Sequence, residues 1–372
     1  MKKSLVALAA MTVVASAFAD VDVSGGVKLY GVVDMGVQTQ SLVSPLTNVT
    51  SDYQGMFASA ATSRFGFKAS RDLGDGLKGI AQVEIQLNPD QSTLLPAKNR
   101  TAFVGLSSEK AGTIMGGTME TFAYEVFASD VNGRIEYKPQ TWRTTTSSSL
   151  QDRANNAIKY VTPNISGFTG HAMLSFGEQS SVATCTVSCA ALTSYALKYS
   201  SDNLKGAFVH DSITHTLQSV TLVGDGVSGA LNTLYYGNND SWATGMDAVQ
   251  RDIITASYDF GPALVSYIYA KSFQSDTASN TTHTYGVKVP FDKITLALSY
   301  GTGSVNSAGI TASTSTNYIA SDGTLSDTTL GVYYNFDKST QVYMLYSKST
   351  SSGLYTYDSS NTVAAFGARY NF

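Results

Sequence analysis

From Val27 onward the chain alternates. Val27, Leu29, Gly31, Val33, Met35 and Val37 share one parity, and Lys28, Tyr30, Val32, Asp34, Gly36 and Gln38 share the other. The same period sets Phe65, Phe67 and Ala69 against Arg64, Gly66, Lys68 and Ser70, and Ala81, Val83, Ile85 and Leu87 against Gln82, Glu84 and Gln86. It returns in Ile294–Tyr300, in Val332–Phe336 and in Ala364–Phe372. A repeat of two places successive side chains on opposite faces of a strand. Short links (Arg71–Lys78, Phe260–Pro262, Pro290–Lys293, Asn335–Thr340) take turns with long polar ones (Thr39–Ala61, Asp211–Gln250, Gly301–Ser326). The pattern predicts an all-β chain of about sixteen strands, with tight turns at one edge and loops at the other, as in an outer-membrane barrel.

Two architectures fit alternation. In an exported β-sandwich the apolar face forms a dry core. In a transmembrane antiparallel β-barrel it meets lipid, the polar face lines water, and the sheet must close because lipid satisfies no backbone group. Composition favours the barrel. Charged residues make up 14 % of the 372, against roughly 25 % in soluble domains, yet mean hydropathy is only -0.03. Uncharged polar groups and 22 tyrosines therefore supply the polarity. Tyr199, Tyr258, Phe260, Phe291, Tyr300, Phe336, Tyr370 and Phe372 are candidates for the aromatic girdles at the two interfaces. No run of about 20 apolar residues occurs, so a helical membrane protein is excluded. A pI of 5.6 without a basic cluster argues against a nucleic-acid partner.

Residues 1–19 read as a secretory signal peptide. Lys2 and Lys3 precede a short apolar stretch, and Ala17-Phe18-Ala19 is a small-x-small cleavage site before Asp20. The barrel is then expected over 20–372. Cys185 and Cys189 are the only cysteines. Export favours a local disulfide over two free thiols or a metal site.

Several stretches carry a family resemblance. They are Lys28-Leu29-Tyr30-Gly31-Val32-Val33-Asp34, Ser63-Arg64-Phe65-Gly66-Phe67-Lys68, Asp72-Leu73-Gly74-Asp75-Gly76-Leu77-Lys78, Asn99–Leu106, Asn156–Pro163 and the terminal Tyr370-Asn371-Phe372. In these the chain resembles the Gram-negative general porins, especially their β-proteobacterial branch. The resemblance implies a sixteen-stranded outer-membrane barrel and a homotrimer that passes ions and small hydrophilic solutes. It also implies a third long loop folded into the lumen to constrict the pore. It assigns Tyr370 and Phe372 to the signal read by the barrel-assembly machinery.

Six of the eight arginines fall between positions 64 and 153. An arginine facing lipid at the midplane costs roughly 2–4 kcal/mol, so Arg64, Arg100 and Arg153 should face the lumen, whereas Arg71 sits in a short turn near headgroups or solvent. Arg64 shares the polar face with Lys68, opposite Phe65 and Phe67. Arg100 opposes Phe103, and Arg153 shares parity with Lys159, opposite Ile158 and Tyr160. Arg64, Lys68, Arg100, Arg153 and Lys159 are thus the expected basic wall, matching family positions. The third loop, about Thr118 to Asp152, carries Glu120, Glu125, Asp130 and Glu136. The resemblance places acidic loop groups across the pore, with Asp130 first and Glu120 and Glu136 after it. The alternative is that these are solvated loop charges. Asp34 and Glu84 have lumen parity and would partly neutralise the wall, leaving a weak anion preference. Gly116-Gly117 stands where many relatives carry Gly-Arg.

No enzyme, metal or cofactor chemistry is expected. The G-x-G-x-x-G matches at Gly74 and Gly224 fall in a turn and a loop, not between strand and helix. His171, His210, His215 and His283 show no ligand spacing. An outer-membrane barrel enzyme and an exported adhesin remain the rival functions.

Overall fold

The computed structural model describes residues 21–24, 26–44, 47–57, 61–90, 99–128, 153–176, 191–214, 249–274, 278–306, 322–353 and 357–372. Residues 1–19, Asp130, Glu136, Cys185 and Cys189 lie outside them. The strands are β1 (Val21–Ser24), β2 (Val27–Val43), β3 (Thr50–Phe57), β4 (Arg64–Gly74), β5 (Leu77–Gln86), β6 (Asn99–Ser108) and β7 (Gly112–Glu120). After the helix α1 (Phe122–Ala128) come β8 (Arg153–Val161), β9 (Phe168–Ser175), β10 (Ala191–Ser200), β11 (Leu204–Thr214), β12 (Val249–Asp259) and β13 (Leu264–Gln274). The chain ends with β14 (Ala278–Phe291), β15 (Ile294–Asn306), β16 (Gly323–Asn335), β17 (Thr340–Ser352) and β18 (Ser359–Asn371).

These eighteen segments make sixteen staves of one closed antiparallel barrel. The upper half of β2 pairs with β3 and its lower half with β4, so β3 and β4 are two lengths of one stave. Likewise β18 pairs along β2 from Val43 down to Val32, and β1 takes over against Leu29–Val27. At that junction Gly31 donates its amide to the carbonyl of Phe372 at 2.7 Å, and Phe372 donates back at 3.1 Å. A Cβ on residue 31 would lie 2.3 Å from the Phe372 ring and 2.8 Å from the Arg64 carbonyl oxygen. Glycine is what lets the last residue close over the first long strand.

The two faces separate as the alternation requires. On β15, Ile294, Leu296, Leu298 and Tyr300 point outward and are exposed, while Ala297 and Ser299 point inward and are buried. Side chains on the concave face crowd one another, so the inner residues show little surface even where they line a lumen. Tyr258, Phe260, Phe291, Phe336 and Tyr370 face outward near the tight turns. Tyr300 sits higher, opposite Tyr285, among the outward tyrosines nearer the long loops.

Several expectations need correction. Thr39–Ala61 is not a long loop: β2 runs to Val43 and β3 begins at Thr50, because the strands continue beyond the apolar band. Similarly, β15 extends to Asn306 and β16 starts at Gly323, which shortens the link expected over Gly301–Ser326. On β6 the outward residues are Val104 and Leu106, 68 % and 46 % exposed. Phe103 therefore faces inward and packs against an apolar cluster, not toward lipid. Simple parity would then send Arg100 outward. It turns inward because β5 and β6 slip register between Glu84↔Thr101 and Ile85↔Asn99, making Arg100 the extra residue of a bulge. A second slip, between Gly117↔Ala157 and Met119↔Ala154, separates Arg153 from Lys159. The shared parity inferred for those two does not hold across it.

Candidate functional site

The inner face of β2 and β4–β6 carries a charged cluster. Glu84 on β5 is its centre. Arg100 donates to Glu84 Oε1 from Nε at 2.5 Å, and Arg64 Nε lies 3.4 Å from Oε2. Tyr30 on β2 donates its hydroxyl to Oε2 at 3.1 Å and receives a bond from Gln82 Nε2 at 2.6 Å. Lys68 places its ammonium 4.2 Å from the centre of the Tyr30 ring. Tyr30 can lie flat here because Gly66 beside it has no side chain; a Cβ there would stand 2.7 Å from its hydroxyl. Arg64 and Arg100 thus both reach Glu84, and Lys68 stands over the Tyr30 ring that bonds the same carboxylate. Charge-assisted bonds hold these groups in fixed positions on a rigid sheet.

Opposite in character is the inner face of β9–β13. Met173, Leu192, Ala196, Val209, Ile213, Ile253, Ile268 and Ala270 are all inward and buried. The helix α1 lies on this surface, against β10 and β11. Thr121 starts it, accepting the Tyr124 amide on its Oγ1 at 3.2 Å and the Glu125 amide on its carbonyl at 3.0 Å. Phe122, Ala123, Val126 and Phe127 face the apolar wall and are buried. Each large side chain removed from water in this way contributes about 1.5–3 kcal/mol. Polar side chains at these wall positions would have no such partner, so the apolar wall and the apolar helix face explain each other.

Charges tie α1 at its edge. The two oxygens of Glu125 are taken by Lys159 on β8 and by Lys198 on β10, the latter at 2.6 Å. Both ammonium groups also lie over the Phe122 ring, at 4.8 and 5.6 Å from its centre. Burial alone would push the Glu125 carboxyl up, but the two lysines outweigh it and hold it at about 2. Arg153 donates from Nη2 to Glu120 Oε1 at 2.7 Å and sits 5.3 Å from the Tyr124 ring centre.

The expected site residues therefore fall into three groups. Arg64, Lys68, Arg100 and Glu84 meet in one cluster. Arg153 and Glu120 pair at the root of α1. Lys159 joins Glu125 instead of the open wall, and Asp34 joins the barrel seam instead of the basic wall. There Asp34 Oδ2 accepts two bonds from Arg369, at 2.8 and 2.6 Å, and Oδ1 accepts the Tyr343 hydroxyl at 2.5 Å. Another inner pair, Arg251 with Asp211, is almost wholly buried, and Ser194 donates to Asp211 at 2.5 Å. Lys198 was not among the expected site residues. Parity could have found it: Tyr195, Leu197 and Tyr199 share the outward face, which leaves Lys198 inward.

The profile of the family described as Gram-negative porin matches residues 4–354. Outer membrane porin protein 32 of Delftia acidovorans is 28 % identical over 190 residues, 50 % of this chain and 52 % of that protein. The major outer membrane protein P.IB of Neisseria gonorrhoeae is 32 % identical over 173 residues, 46 % of this chain and 47 % of that protein. The chain spans about half the length of these relatives. Among solved structures, an anion-selective porin from Comamonas acidovorans superposes with a TM-score of 0.67 at 21 % identity, covering 93 % of this chain and 99 % of that one.

Proposed function

Since the chain belongs to the Gram-negative porin family and to the outer membrane, we propose that it forms a water-filled channel for passive diffusion of ions and small hydrophilic solutes, with a weak preference for anions. The observation that carries this reading is the inner cluster in which Arg64 and Arg100 reach Glu84 and Lys68 lies over the Tyr30 ring beside it. Fixed cations on a low-dielectric wall raise the local anion concentration. Partial neutralisation by Glu84 keeps the preference weak. The porin of similar fold from Comamonas acidovorans is described as anion-selective, which points the same way. We assign the acidic side of the constriction to Glu120, which pairs with Arg153, and, outside the described residues, to Asp130 and Glu136.

The assembled form is a homotrimer in outer-membrane lipid. Supporting this, the outward faces of β2 and β4–β7 hold Leu29, Val33, Phe65, Phe67, Val83, Val104 and Ile114, and among the described residues no tyrosine. Tyrosine belongs where one end of a side chain is wet. The outward faces of β10 and β12–β17 carry Tyr195, Tyr258, Tyr267, Tyr285, Tyr300, Tyr334 and Tyr346. The tyrosine-free face suits contact with another subunit. The terminal Tyr370 and Phe372 serve the assembly machinery, and residues 1–19 are the export leader.

The test is the reversal potential of single channels in planar bilayers under a KCl gradient. A modest chloride preference is expected. Strong cation preference removes the selectivity, and absence of conductance removes the channel.

A further inference from the structure

The lysines at positions 159 and 198 face the lumen, where a basic wall would place them. Their geometry serves a different end. They stand on two staves, β8 and β10, with β9 between them, and both reach the same carboxylate on α1. Lys159 also donates to the Glu120 carbonyl at 3.3 Å, so it grips the approach to the helix as well as its first turn. Phe122 lies under both ammonium groups, and His171 on β9 meets that ring edge-on at 5.2 Å between centres. A helix of seven residues is too short to persist alone in water. Its apolar face gives attraction without direction, because dispersion and burial do not fix register along a smooth wall. Two charged bonds from separate staves supply that direction.

We infer that Glu125, Lys159 and Lys198 form a clamp that fixes α1 on the apolar inner wall and thereby sets the bore of the channel, acting as positioning residues and not as the ion filter. This rests on the channel reading above and assigns a role within it. The filter role then belongs to the Arg64, Lys68 and Arg100 cluster.

The two roles differ in the sign of their responses. Glu125→Gln adds positive charge to the lumen, whereas Lys198→Met removes it. As filter groups they would shift the reversal potential in opposite senses and leave the open-channel current quiet. As clamp groups they loosen the same helix, so both variants should raise open-channel noise and alter conductance in the same direction. The full-length protein is used in planar bilayers, and hydrogen exchange of the 122–128 amides is followed by mass spectrometry on the same preparations. Both variants should speed that exchange by about tenfold or more, and Lys198→Arg should restore protection. Opposite shifts of reversal potential at wild-type noise and wild-type exchange would overturn the clamp. If Glu125→Gln does not insert, Glu125→Asp, which keeps the charge and shortens the reach, takes its place under the same criteria. A wild-type protein that conducts nothing would overturn the channel reading, and the exchange measurement would still judge the clamp.

Discussion

The inner wall changes character between β4–β6 and β9–β13. On the first flank Arg64, Arg100 and Glu84 hold one another in a charged cluster that borders the lumen. On the second, Val209, Ile213, Ile253 and Ile268 present an oily surface to the same lumen, interrupted by the buried Arg251–Asp211 pair. A barrel wall facing water is expected to be polar throughout. The second flank departs from this because α1 covers it, so its inward residues form a small protein core. The alternation of a strand tells which residues share a face. It does not tell whether that face meets water, lipid or another part of the chain.

The difference can be broken from either side. The largest effect is expected at the seam that closes the charged flank. Arg369→Leu leaves Asp34 buried without its cation, which should cost about 3–5 kcal/mol, read as a lower temperature for loss of the compact, heat-modifiable band on gels. Wild-type thermal behaviour would show that strand pairing alone secures β18 to β2. Next is Phe122→Ala on the apolar flank. Removing this fully buried ring should weaken α1 docking by about 3 kcal/mol, seen as faster amide exchange over 122–128. Unchanged protection would mean that the oily wall has no need of that ring.

A smaller effect concerns acidity. Glu125 titrates at about 2 in the folded protein, below its ordinary value of about 4.3. Its contribution to holding α1 is therefore complete above the ordinary value and is lost as pH falls through about 2. Channel noise should stay constant from neutral pH to about 5 and rise only below about 4. A rise near neutrality would place the controlling group elsewhere. Last, Arg100→Glu on the charged flank should move ion preference several-fold toward cations while leaving α1 exchange untouched. A change in both would mean that the two flanks are coupled.

Much of this contrast is legible in the order of residues along the chain. Val33, Phe67, Val83, Leu298 and Phe366 are assignable to the outer face, and Arg64, Lys68 and Glu84 to the inner one, because each lies within an unbroken stretch of alternation. Phe103 is not. It shares a strand with Arg100, and the bulge at Arg100 reverses the parity between them. Nothing in Asn99–Leu106 marks that extra residue, since its cause is the register against β5. Glu125 is visible as a loop acid but not as the partner of Lys159 and Lys198, which lie 34 and 73 positions away.

Local pattern dictates the architecture: strands with one oily face, turns of unequal length, and a closed sheet in the outer membrane. These follow from a period of two, which is a property of neighbouring residues and of backbone geometry. Only the folded barrel settles which charges meet. Asp34 pairs with Arg369 across 335 positions, and one lumen flank stays charged while the other is sealed by α1. Register, bulges and barrel closure set those distances, and each depends on contacts between staves that no local pattern encodes.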